Sequence, residues 1–423
     1  MYVVNNQIFI YFLSYTNPNF MKNLKIAMLT LMAAMFAIML SCSDNRELSV
    51  SDFNFDGPLG SDGATIEKLG KNYFRVVLSH APNQPEWNNK LNFEITGNAK
   101  GNDLVLLVEG PPRFAMNEYF YSWSYDMENW NPVHWKLGYK ESPEKDTLVF
   151  PLFQEDKVWV GHQVPISYEQ VENFLSNIQN NEDVTVHNVG KSLGGRNIYR
   201  ATITESSSDV PEDKRWVHYF TNPHPGEHNA QWRMIGMIEW LLSDKGADMR
   251  NRSICHFVLM MSPDAPHNGW YRVNAQGVDM NRSYFPEGSK EGEQAHESYI
   301  LQRDLEEIMK TDKPVTTLWG MHTWGGIVEP LLYFVPDERL GPWTEWRDMT
   351  ADLDKNSLIK PLKLREGSSS YGPITWEAGP HHQFGITAIL CEGGGAIYTK
   401  KENKESGRIL IEALGKYYKG TKE

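Results

Sequence analysis

Cysteine is scarce. Three residues in 423, Cys42, Cys255 and Cys391, exclude a disulfide-dense scaffold. Positive charge is in deficit as well: 41 Lys and Arg face 54 Asp and Glu, a net charge of −13. That balance argues against a nucleic-acid-binding role. The apolar stretch Ile26–Leu40 has 15 residues, short of the roughly 20 that cross a bilayer as a helix. No internal repeat and no low-complexity tract is found. What is present is ordinary for a globular protein, 40% hydrophobic and 22% charged residues, in a chain long enough for two domains.

Residues 21–42 read as a signal peptide, with Lys22 and Lys25 as the charged start and Ile26–Leu40 as the apolar body. Leu40-Ser41-Cys42 resembles a bacterial lipoprotein cleavage site, which would place a lipid on Cys42. An ordinary secretory signal or a single membrane anchor are the alternatives. Each of these expectations puts the mature protein outside the cytoplasm: periplasmic or outer-membrane-attached as a lipoprotein, otherwise secreted. Residues 1–20 precede the charged start and look like an over-long start assignment. Cys255 and Cys391 adjoin apolar runs and read as buried free thiols.

Residues 43–67 are polar and Gly-rich, a tether. Residues 68–163 carry short β-like segments, Tyr73–Leu78 and Asp103–Val108 among them, broken by Pro, Gly and Asn. They predict a small all-β sandwich domain. Trp87, Trp123, Trp130, Trp135 and Trp159 are spread through it; such aromatics are more often core and rim than a ligand platform. Residues 164–423 change pattern. Strand candidates at 184–186, 199–203, 216–220, 257–261, 315–319 and 386–390 alternate with helices at 168–178, 230–242 and 298–310. The fold class expected is α/β: a mixed, mostly parallel sheet with helices on both faces, preceded by the β-sandwich.

Chemistry concentrates at four places. His224 and Glu227 are three residues apart in His-Pro-Gly-Glu, after the strand ending at Phe220. His322 follows the run ending at Trp319, and Glu392 follows Ile386–Leu390. Asn281-Arg282 lie between them. A His and a Glu on one turn, with a third ligand from elsewhere and an open position, suit a zinc hydrolase rather than a closed structural site. Three strands would deliver these groups at their carboxyl ends, where ligands bind in open α/β sheets. Taken singly, each residue has a bland structural reading: a turn histidine, a surface arginine, a strand-end acid.

Together these motifs resemble the zinc metallocarboxypeptidase family (carboxypeptidase A-like), and within it the cytosolic-carboxypeptidase subgroup with an N-terminal β-sandwich. The resemblance covers about 164–400 and extends into the β-domain. It rests on Lys191–Arg196, on His224–Glu227 with Asn229, Ala230 and Trp232, on Tyr271-Arg272, and on Gly277–Arg282. It departs at Ser262-Pro263-Asp264-Ala265, where the family commonly has Asn-Pro-Asp-Gly, and at His322-Thr323-Trp324, where the subgroup usually has His-Gly-His. The resemblance implies one Zn²⁺ per chain on His224, Glu227 and His322. It implies Glu392 as general base toward the zinc-bound water, and Arg272 as oxyanion stabiliser. Asn281 and Arg282 would hold the free α-carboxylate of a peptide substrate, and Tyr371 would be the mobile tyrosine that caps it.

The function expected is therefore a zinc carboxypeptidase acting on an extracytoplasmic peptide. One rival keeps the zinc but cleaves an amide or ester in peptidoglycan or another carboxylate-bearing envelope or dietary substrate. Another is a binding protein with a degenerate site. Glu366–Thr399 contains no Lys or Arg, so a terminal Glu or Asp is expected to be a poor substrate residue. Tyr371, Trp376 and Phe384 favour an apolar or neutral one, unless Glu377 faces the pocket and recruits a basic one.

Overall fold

The computed structural model describes residues 46–110, 120–137, 145–323, 331–335, 340–354, 363–365, 372–395 and 397–419. The N-terminal part is β-rich. Its strands are β1 (Phe53–Asn54), β2 (Thr65–Gly70), β3 (Tyr73–Val77), β4 (His80–Ala81), β5 (Gln84–Asn88), β6 (Phe93–Ile95), β7 (Leu104–Glu109), β8 (Tyr121–Ser124), β9 (Asn131–Leu137), β10 (Lys145–Phe150) and β11 (Val158–His162). Among the described residues, nine of them hydrogen-bond in the order β1-β6-β11-β8-β9-β10-β7-β3-β2. Strict alternation makes the core face legible in β7, where Leu104, Leu106 and Val108 are buried and their neighbours half-buried. Phe53 of β1 and Phe74 of β3 come from opposite ends of the order, yet their ring centroids are 4.8 Å apart. The sheet thus folds over a single core, as a sandwich does.

The β-region tryptophans divide. Trp130 is buried, and Trp123 packs its edge on Tyr125 and Phe153. The Trp135 side chain lies outside the described residues. Trp87 behaves differently. It sits on the separate β4–β5 hairpin and packs against residues of the following α/β region.

The second sheet comprises β12 (Val184–Lys191), β13 (Asn197–Ile203), β14 (Trp216–Thr221), β15 (Ser253–Val258), β16 (Thr317–Met321), β17 (Leu331–Val335), β18 (Lys363–Arg365) and β19 (Thr387–Glu392), ordered β12-β13-β15-β14-β16-β19-β17-β18. Four central strands, β15, β14, β16 and β19, are mutually parallel. β13 flanks them antiparallel on one side, with β12 antiparallel to it at the edge, and β17 flanks them antiparallel on the other. The sheet is mixed, with a parallel centre. From β14 the chain goes first to β15 on one side and later to β16 on the other. This reversal opens a crevice at the carboxyl end of β14.

Both faces of the sheet are covered. Val217 and Tyr219 of β14 point into one core with helix His296–Met309, and Phe220 into another with helices Tyr168–Ile178, His228–Leu241 and Lys400–Lys419. Helix Tyr168–Ile178 begins where the sequence predicts, with Ser167 and Gln170 forming a capping box. Helix His228–Leu241 departs from its amphipathic pattern: every residue but Glu239 is buried. The C-terminal helix Lys400–Lys419, not expected from the sequence, covers its outer side. Gly407 permits this approach, since a Cβ there would lie 1.8 Å from the carbonyl oxygen of Arg233. The expected strand 257–261 is also displaced: β15 starts at Ser253, and Leu259–Met261 are buried in the loop beyond it.

Candidate metal centre

The turn after β14 is fixed on several sides. The Glu227 amide donates to the His224 carbonyl at 3.1 Å, and the Gly226 amide donates to the Tyr271 carbonyl at 2.8 Å. A Cβ on Gly226 would lie 2.6 Å from Tyr271 Cα, so this position requires glycine. Asn222 Nδ2 donates to the Met321 carbonyl at 2.9 Å, and the His322 amide donates to the Cys391 carbonyl at 2.8 Å. The ends of β14, β16 and β19 are thereby held side by side.

His224, Glu227 and His322 converge and are buried, their ligand atoms all within 4.8 Å of one another. His224 Nδ1 is 2.8 Å from Glu227 Oε1; His322 Nδ1 is 3.0 Å from Glu227 Oε2 and 3.1 Å from His224 Nδ1. Tetrahedral zinc at about 2.0–2.1 Å from its ligands spaces them roughly 3.3 Å apart. The donor set and its spacing fit that ion. Burial alone would raise the Glu227 carboxyl, but the two imidazoles outweigh it and hold it well below the usual range. Tyr271 Oη and the Thr323 amide also donate to this carboxylate, at 3.3 and 2.8 Å.

Glu392 ends β19 beside this cluster. Burial is the main influence on its carboxyl and raises it to about 7, with His322 opposing and Glu227 adding to the rise. Its Oε2 is buried with no hydrogen-bond partner among the described residues. A carboxyl pushed toward neutrality, with one oxygen left without a donor, is equipped to take and return a proton.

The expected substrate-binding residues surround the cluster. Arg272 Nε pairs with Asp279 Oδ2, while Asp279 Oδ1 is 3.1 Å from His224 Nε2. The guanidinium also lies over the Trp87 ring, 5.0 Å from its centroid. The β4–β5 hairpin reaches further: Gln84 Nε2 donates to the Gly277 carbonyl at 2.8 Å, two residues before Asp279. The β-rich region thus supports the arginine segment directly. Asn281 is buried, and its carboxamide accepts from the Trp376 amide at 2.9 Å and donates to Glu377 Oε1 at 3.1 Å. Arg282 Nη1 donates to the Asn281 carbonyl at 2.7 Å. Tyr371 lies outside the described residues.

Other singled-out residues prove structural. Lys191–Arg196 folds onto Asp264, which accepts from Ser192 Oγ, the Gly194 amide and Arg196 at 3.0, 2.8 and 2.8 Å. His228 is buried against Gln231 and the ring of His162, and burial lowers it to about 4. His381 caps its short helix toward the Ile386 carbonyl, and His382 is exposed.

One residue of the site escapes sequence reasoning, and a second, Glu377, is read there only as a possible pocket acid. Arg233, fully buried, reaches the carbonyls of His322 and Cys391 at 3.2 and 3.4 Å. Glu377 lies under His322, with Oε2 3.8 Å from Nε2. The only sequence signal for Glu377 is an acid isolated in a segment without Lys or Arg.

Residues 171–306 match the family model described as zinc carboxypeptidase. Cytosolic carboxypeptidase 2 of Danio rerio is 33% identical over 146 residues, 33% of this chain and 20% of that protein. Cytosolic carboxypeptidase 3 of Mus musculus is 28% identical over 295 residues, 64% of this chain and 28% of that protein. The chain therefore spans about a fifth to a quarter of the length of these relatives. Among solved structures, a metallo-carboxypeptidase from Burkholderia cenocepacia superposes with a TM-score of 0.71 at 18% identity, covering 86% of this chain and 97% of that one. A metallo-carboxypeptidase from Pseudomonas aeruginosa in complex with (2-guanidinoethylmercapto)succinic acid gives 0.69 at 19% identity, covering 87% and 99%. These structural likenesses establish a shared fold.

Proposed function

We propose that the chain, whose residues 171–306 match the zinc carboxypeptidase family model, belongs to that family and removes the C-terminal residue of a peptide. The observation that carries the proposal is the convergence of His224, Glu227 and His322 beside the buried acid Glu392, at the crevice of the parallel strands. The three ligands would hold one Zn²⁺, which supplies Lewis acidity toward the scissile carbonyl and lowers the pKa of water. Glu392 accepts the proton of the attacking water and returns it to the leaving amine. Arg272 has its Nε occupied by Asp279, which leaves its terminal nitrogens for the developing oxyanion. Arg282 receives the substrate's terminal carboxylate, with the Asn281 segment fixing its position.

The proposed substrate is extracytoplasmic. The support is the charged start and apolar body at 21–42, with Cys42 as the lipid-bearing residue; these positions lie outside the described residues. The test is incubation of purified zinc-loaded protein with a mixed peptide library and peptidoglycan fragments, read by mass spectrometry. Loss of single C-terminal residues from free-acid peptides, and not from amidated ones, is expected. Equal cleavage of amidated peptides would assign the site to an amidase or esterase instead.

A further inference from the structure

Each metal-facing histidine has a second ring nitrogen, and the structure gives each a carboxylate. For His224 it is Asp279, 3.1 Å from Nε2, which also binds Arg272. For His322 it is Glu377, 3.8 Å from Nε2, whose other oxygen accepts from Asn281 Nδ2, itself 3.4 Å from His322 Nε2. The pattern repeats: a histidine, then a carboxylate, then a residue of the substrate-binding segment. Resting on the zinc reading of the site, we infer that Glu377 is a positioning residue. It holds the His322 proton on Nε2, so that Nδ1 faces the metal, and it anchors the Asn281 carboxamide in the same step.

Three observations support this assignment. Glu377 is 1% exposed, so its charge needs a partner inside the protein. Its Oε2 has no hydrogen bond, and it lies in ion-pair range of His322 Nε2. The space between them is kept open by Gly320 of β16. A Cβ there would lie 3.3 Å from Glu377 Cβ and 3.6 Å from both Glu377 Oε2 and His322 Nε2. A glycine in the middle of a central strand weakens that strand, and a close approach such as this one explains its presence.

The chemistry follows from the tautomer. An imidazole that binds a metal through Nδ1 carries its proton on Nε2 and must donate it. Glu377 is the acceptor that fixes this state. In Glu377→Gln the carbonyl oxygen can still accept from Asn281, but the amide nitrogen then faces His322 Nε2. With Asn281 Nδ2 already 3.4 Å away, His322 Nε2 would then face donors in place of the carboxylate, and the proton is driven to Nδ1, where it competes with the ion.

The experiment is a Zn²⁺ affinity measurement by competition with a chromophoric chelator on the full-length protein. Wild type, Glu377→Gln, Glu377→Asp and His322→Ala are compared, with the thermal midpoint of each apoprotein as a fold control. Glu377→Gln is expected to bind zinc on the order of 10–100-fold more weakly than wild type. Glu377→Asp, which keeps the acceptor, is expected to recover part of that loss. Affinity within twofold of wild type in Glu377→Gln overturns the inference, as does equal loss in the Gln and Asp variants. If Glu377→Gln does not fold, Glu377→Met replaces it, removing the acceptor while filling its volume; unchanged zinc affinity there overturns the inference equally. His322→Ala separates the two levels: full zinc binding in that variant removes the underlying ligand assignment, whatever Glu377 does.

Discussion

Arg233 Nη2 lies 3.2 Å from the carbonyl oxygen of His322. The same nitrogen is 3.4 Å from the Cys391 carbonyl, and Nη1 is 3.5 Å from the Glu392 carbonyl. One buried cation on helix His228–Leu241 therefore binds the ends of both strands that carry His322 and Glu392. The helix itself starts at the first metal motif. A single side chain thus ties all three parts of the centre together.

Replacing Arg233 should cost stability and metal together. Arg233→Met fills the volume but removes the guanidinium donor from the buried His322 carbonyl and leaves the Cys391 carbonyl with the His322 amide, a loss of about 1–3 kcal/mol for an unsatisfied buried acceptor. Lys is expected to rescue poorly, because a point charge cannot span a fork of acceptors. Urea unfolding of the zinc-free proteins measures the first effect, and chelator competition the second. A stable Arg233→Met protein with normal zinc affinity would mean that the strand ends hold themselves.

Glu392→Gln should keep zinc and fold yet lose most turnover. The substitution preserves shape but removes the only function the carboxyl has in the proposed reaction, proton transfer. Loss of a general base costs on the order of 10²–10⁴ in rate. Metal analysis and kcat on the same preparation decide it. Near-normal kcat would move the base to another residue.

How much of this was legible beforehand depends on distance along the chain. His224 and Glu227 share one turn, so their spacing alone suggests joint ligation. His322 and Glu392 were readable because each follows an apolar run, and parallel strands align such positions. Arg233 was invisible for the opposite reason. It sits beside the predicted apolar face of its helix, and only the covering helix Lys400–Lys419 turns that flank into core. Glu377 needed the contact with His322, 55 positions earlier, for which no periodicity exists. Trp87 was one of five similar tryptophans, and nothing local marked the hairpin that carries it toward Arg272.

Acid sensitivity should come in part from His218, far from any ligand role. It is buried within the sheet, its Nδ1 2.7 Å from Thr317 Oγ1 and its ring 5.0 Å from that of Tyr418; burial lowers its pKa to about 3. Its unfolded value is about 6.5. Below that pH the unfolded chain takes up a proton that the folded protein refuses, so stability falls as pH drops from about 6.5 toward 3. The slope approaches about 1.4 kcal/mol per pH unit for this one group. His218→Gln should be less stable at pH 7.5 but lose less on acidification to pH 4.5. Comparing zinc-free proteins cancels the ligand histidines, and parallel stability–pH curves for the two would exclude His218 as a contributor.

Trp87 offers the test of whether the β-rich region takes part in catalysis. Its ring lies against the Arg272 guanidinium, which also pairs with Asp279. A cation over a tryptophan face gains about 0.5–2 kcal/mol, depending on how dry the site is. Removing the ring takes away one of the restraints on Arg272, and the arginine must be in place before the oxyanion forms. Trp87→Ala should lower kcat/KM roughly 2–30-fold by that energy, with zinc content unchanged and Trp87→Phe retaining part of the rate. The decisive comparison uses Arg272→Ala as background. If Trp87 acts through the arginine, adding Trp87→Ala there should cost nothing more. A loss of the same size in both backgrounds would show that the hairpin contributes by another route, such as direct contact with the substrate.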